Sequence, residues 1–90
     1  MRISVIRTGG FGGLTRRATL ETAGRPDADE LASLARSALA EGREQRPTGV
    51  PDGFHYEIDV DGDVAYGADP RLSENMSALI SLVLKEGDTK

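Results

Sequence analysis

The stretch Met1-Arg2-Ile3-Ser4-Val5-Ile6-Arg7-Thr8-Gly9-Gly10-Phe11-Gly12-Gly13-Leu14-Thr15-Arg16-Arg17-Ala18-Thr19-Leu20-Glu21 alternates in polarity on both sides of a glycine cluster. Before the cluster, Met1, Ile3 and Val5 stand against Arg2, Ser4 and Arg7, with Ile6 the exception. After it, Leu14, Ala18 and Leu20 stand against Thr15, Arg17, Thr19 and Glu21. A period of two marks half-buried strands, so the two segments predict a hairpin. With Arg7 opposite Leu14, the pairs Val5–Arg16, Ile3–Ala18 and Met1–Leu20 follow, and the apolar sets share one side, as a sheet with one dry face requires. Arg16 then lays its stem along the core rim and its head in water. Four glycines reach backbone conformations closed to other residues, so Gly9, Gly10, Gly12 and Gly13 make the connection a loop. Phe11 stands among them, one of only two phenylalanines. Its ring either folds back onto the core or is offered to a partner.

The remainder extends this pattern. Asp27-Ala28-Asp29-Glu30 opens a helix, with Asp27 capping the exposed amides and Glu30 reaching back three residues later. Leu31, Leu34, Ala35, Ala38 and Leu39 recur on one face as far as Gly42. Residues 43–53, with two prolines and two glycines, read as an irregular loop. Phe54, Tyr56, Ile58 and Val60 alternate with His55, Glu57 and Asp59 as a third strand, and Asp61-Gly62 signals a turn. A two-residue turn would put Val64 and Tyr66 on the face of Glu57 and Asp59. A three-residue loop, Val60-Asp61-Gly62, pairs Ile58 with Val64 and Tyr56 with Tyr66, and is the expectation here. Asp69-Pro70 starts the last helix as cap and first helical residue, with Leu72, Met76, Leu79, Ile80 and Val83 as its stripe. The order ββαββα predicts an α+β fold, a four-stranded antiparallel sheet with two helices packed on one face. Residues 1–90 are read as a single domain with a frayed tail at 87–90.

Composition narrows the function. The 11 Lys and Arg are scattered among 15 Asp and Glu for a net charge of −4, which gives no clustered basic surface for nucleic acid. Arg16 and Arg17 are adjacent in a strand and point to opposite faces. The absence of cysteine excludes disulfides, thiolate metal sites and cysteine nucleophiles. The first seven residues turn charged too early for a signal peptide, and no run approaches the roughly 18 apolar residues of a membrane span. A cytoplasmic, monomeric protein with no cofactor and no membrane partner is expected.

Three other chemical readings lack part of the pattern they require. Asp59-x-Asp61-Gly62-Asp63 resembles part of a calcium loop, but Val, Ala, Tyr and Gly follow where further ligands belong. His55 is the only histidine; it shares a strand face with Glu57, and no nucleophile elbow accompanies it. The glycine loop follows a strand, as a phosphate cradle does, but leads into another strand instead of a helix and lacks the closing Lys-Ser/Thr pair. The helix acids Asp29, Glu30 and Glu41 read as solvated positions. The chain is not read as an enzyme.

The opening run, from Met1 through Arg17, resembles the start of the emfourin family, small bacterial inhibitors of thermolysin-like zinc metallopeptidases such as protealysin. Thr8 stands where serine is common in the family. The likeness continues more loosely through Pro26-Asp27-Ala28, Pro51-Asp52-Gly53-Phe54-His55-Tyr56 and the closing Leu-rich helix. A departure is Ala18, where many relatives carry a large residue just after the arginines, which implies a changed or lost target. The resemblance implies a peptidase partner and a binding site at Arg7, Gly9, Gly10, Phe11, Gly12, Gly13, Leu14 and Arg16. In it, residues 9–14 plug the cleft, Phe11 fills a hydrophobic pocket, and Arg7 and Arg16 steady the loop. No metal of the inhibitor's own is needed. The alternative is a non-inhibitory interaction module using its sheet surface or an edge strand.

Overall fold

A computed structural model describes residues 1–9, 15–43, 53–68 and 71–89. The strands are β1 (Arg2–Gly9), β2 (Arg16–Glu21), β3 (Phe54–Val60), β4 (Asp63–Ala68) and β5 (Asp88–Thr89), and the helices are α1 (Ala28–Glu41) and α2 (Glu74–Glu86). The predicted ββαββα order and α+β class stand. The sheet runs β4-β3-β1-β2-β5 with antiparallel neighbours throughout. The fifth strand lies in the tail expected to fray, where Asp88 and Thr89 pair with Thr19 and Ala18.

Alternation decides the two sheet faces. Ile3, Val5, Ala18, Leu20, Tyr56, Ile58, Val60 and Ala65 are buried on the face that receives the helices, α2 over β1 and β2 and α1 over β3 and β4. Leu31, Ala35 and Ala38 of α1 and Met76, Leu79, Ile80, Val83 and Leu84 of α2 complete the core, with Leu34, Leu39 and Leu72 packed against it. Both predicted stripes are therefore core. The other face carries an open polar groove lined by Arg2, Ser4, Ile6, Arg17, Thr19, Glu57, Asp59 and Asp88.

Two registers differ from expectation. In the first hairpin the pairs are Ile3–Leu20, Val5–Ala18 and Arg7–Arg16, two residues from the predicted alignment. A shift of two keeps every side chain on its face. Burial alone cannot separate the two alignments, and the longer connection of residues 8–15 prevails.

In the second hairpin the rejected two-residue turn is the one formed. Val60 pairs with Asp63, Ile58 with Ala65 and Tyr56 with Gly67. Asp61 (φ 51°) and Gly62 (φ 95°) both take the left-handed conformation that matches strand twist in such turns. The Gly62 N–H donates to Asp59 Oδ1 at 2.8 Å, and the Arg2 N–H to Asp61 Oδ1 at 2.8 Å. Val64 is consequently 41% exposed. The helix face of β4 carries small residues instead because the helices press on it. A Cβ at Gly67 would sit 2.7 Å from Leu72 Cδ2, and one at Gly42 would sit 2.7 Å from Ala65 Cβ.

The cap bond of α1 and the start of α2 also differ from expectation. Asp27 lies at the N-cap of α1 but its carboxylate makes no cap bond. It accepts from Arg25 Nε at 2.9 Å and Nη2 at 3.2 Å, which holds it below the usual carboxylate range. The same Nη2 reaches Glu86 Oε1 at 3.2 Å, tying the start of α1 to the end of α2. Ser73, not Asp69, caps α2 and accepts from the Met76 N–H at 3.1 Å. Residues 69–70 lie outside the described residues. Glu41, expected to be merely solvated, bonds to Ser73 and accepts from Asn75 Nδ2 at 2.7 Å; these bonds lower its pKa.

Candidate functional site

The predicted site lies at the end of β1, the central strand. Arg7, Gly9 and Arg16 are described; Gly10, Phe11, Gly12, Gly13 and Leu14 lie outside the described residues. Pairing brings Arg7 and Arg16 directly opposite each other on the helix face as the last pair of the β1–β2 ladder, so two guanidinium groups stand at the base of the loop.

These two side chains are held differently. Arg16 donates from Nη2 to the Leu84 carbonyl at 2.9 Å. That oxygen belongs to the last turn of α2, where a cation also meets the negative end of the helix dipole. Arg16 thereby joins the loop base to a rigid element. Arg7 instead lies over the Phe54 ring, its Cζ 4.4 Å from the centroid, within cation–π range. The ring is itself tilted against Tyr56, with centroids 6.4 Å apart. Arg7 Nε is buried and has no hydrogen-bond partner among the described residues.

Gly9, expected in the loop, is the last residue of β1. Its φ is +98°, and a Cβ there would sit 2.7 Å from the Gly53 carbonyl oxygen. Gly9 pairs with Phe54, so the exit from β1 is packed against the start of β3. Phe54 thus supports the site, which sequence reasoning missed. Finding it required knowing that β3 lies beside β1, and alternation alone does not give neighbours.

Edges and open surfaces bear on the alternative reading. On β4, Tyr66 exchanges both backbone hydrogen bonds with Arg43 at 2.8 Å, and the Ala68 carbonyl accepts from the Arg71 N–H at 2.9 Å. Arg43, placed by expectation in an irregular loop, is therefore an edge partner. On the opposite side β5 covers β2 at Ala18 and Thr19. Ala18 is fully buried, so the departure from the family pattern sits in the core.

His55 pairs with Thr8 and Ala68 in the ladder. Among the described residues no three His, Asp or Glu side chains gather as a metal site would need. No helix of the described chain is long and apolar enough to cross a membrane.

The model of the emfourin family matches residues 5–84. No curated protein matches the chain. No solved structure matches it either.

Proposed function

Since the chain belongs to the emfourin family, we propose that it is a protein inhibitor of thermolysin-like zinc metallopeptidases that blocks the active-site cleft with residues 9–14. The observation that carries this reading is the braced base of the loop. Gly9 ends β1 packed closely against the Gly53 backbone, and Arg16 fastens the return strand to α2. A loop anchored at both ends loses less conformational freedom on binding than a free one, which favours affinity.

Within this mechanism Phe11 enters the hydrophobic specificity pocket beside the zinc, and the flanking glycines expose backbone for strand-like pairing in the cleft. The inhibitor contributes no catalytic group and no metal. Occupied backbone groups along β4 and the β5 cover on β2 weigh against strand addition at those positions, so the loop is the preferred contact. Phe11→Ala is expected to weaken inhibition by at least about 2 kcal/mol, the scale of an interface hot spot, or roughly thirtyfold. Inhibition constants against a panel of thermolysin-like peptidases test this, and an unchanged constant for the variant removes Phe11 from the interface.

A further inference from the structure

Resting on the inhibitor reading, we infer that Arg7 is a carboxylate-binding contact at the loop base, taken in the complex by an acidic side chain on the rim of the peptidase cleft. Like charges directly opposite one another across two strands are unfavourable, and Arg7 and Arg16 are such a pair. Arg16 is satisfied by the Leu84 carbonyl. The Arg7 Nε is buried and has no hydrogen-bond partner among the described residues.

Stacking on Phe54 holds the guanidinium by its face. A planar guanidinium held that way keeps its donors in plane, the direction from which a carboxylate binds with two parallel hydrogen bonds. When the loop fills a cleft, its base meets the rim, so an acid there lies within reach of Arg7. Arg16 is the strut, and Arg7 is the contact.

The test compares wild type, Arg7→Gln, Arg7→Lys and Arg16→Gln against thermolysin-like peptidases at low and high salt, with thermal melts of each variant. Arg7→Gln is expected to weaken inhibition about tenfold or more while melting near wild type, and to flatten the salt dependence. Arg7→Lys keeps the charge but not the fork, and should fall between the two. Arg16→Gln should lower the melting temperature and leave the salt dependence intact. Wild-type potency in Arg7→Lys together with a wild-type salt slope in Arg7→Gln overturns the assignment. If Arg7→Gln does not fold, Arg7→Lys decides alone. If wild type inhibits no peptidase in the panel, the inhibitor reading fails and this contact fails with it; if wild type inhibits and the Arg7 variants match it, only the contact fails.

Discussion

Gly9 and Gly24 both have positive φ, +98° and +82°, but their surroundings differ. Around Gly24 nothing lies within 4 Å of an added Cβ, whereas at Gly9 that atom would meet the Gly53 carbonyl oxygen at 2.7 Å. A backbone oxygen cannot rotate aside as a side-chain end can. Gly24→Ala is therefore expected to cost about 1 kcal/mol from the left-handed conformation alone, and Gly9→Ala about 3 kcal/mol from strain plus overlap. Chemical denaturation of the two variants checks the difference, and equal losses would mean that β1 and β3 separate easily at this end. The sequence marks residues 9–13 as a loop from glycine content, but treats its glycines alike. What singles out Gly9 is its pairing with Phe54, a contact between segments far apart in the chain. Arg7 and Arg16 were legible as residues of the loop base. Their separate partners, a ring and a helix carbonyl, were not, because both belong to later elements.

Helix positions were readable from their apolar spacing, and so was the start of α1 at Asp27; the cap bonds and the start of α2 were not. Asp27 and Asp69 both suit an N-cap, yet the Asp27 carboxylate pairs with Arg25 and the cap bond of α2 comes from Ser73. At Asp27 a nearby guanidinium outcompetes backbone amides for the carboxylate. Ser73→Ala is expected to destabilise the protein by about 1 kcal/mol, the usual loss for an N-cap. The Glu41 carboxylate bonds to the same end of α2 through Ser73 and Asn75, which lowers its pKa from the ordinary 4.5. A carboxyl whose folded pKa is lowered stabilises the fold above its unfolded pKa, and that contribution disappears as pH falls through the folded value. Melting temperature should accordingly drop as pH is taken from about 6 to about 3, and Glu41→Gln should reduce the slope of that drop. Asp27 titrates in the same sense through Arg25, so the Glu41 variant retains part of the slope. An unaltered slope in Glu41→Gln would mean that its bonds to α2 do not persist in solution.

The sheet order places β1 between β2 and β3, so the braced loop base receives support from both sides, from α2 through Arg16 and from β3 through Phe54 and Gly53. Fold class and the apolar faces of β1, β2 and β3 followed from alternation, because the dry face had to collect Ile3, Val5, Leu20, Ile58 and Val60. The face of β4 did not follow. A large apolar residue was expected inward, but close helix approach demands Ala65 and Gly67 there and turns Val64 outward. The fifth strand was equally invisible, since two polar residues carry no periodicity. Its position separates the loop reading from the edge-strand reading. Deleting residues 88–90 uncovers the outer edge of β2 at Ala18 and Thr19 but leaves the Arg16–Leu84 bond in place. A small loss of stability is expected, with the melting temperature lowered by less than about 8 °C for a domain of this size. The bared edge should also promote self-association at high concentration, detectable by size-exclusion chromatography. Inhibition should stay within about twofold of wild type, as for sites that act independently. If inhibition is instead lost while the melt is retained, the peptidase binds along β2, because only that edge changes, and Phe11 and Arg7 then lie beside the contact surface instead of at its centre.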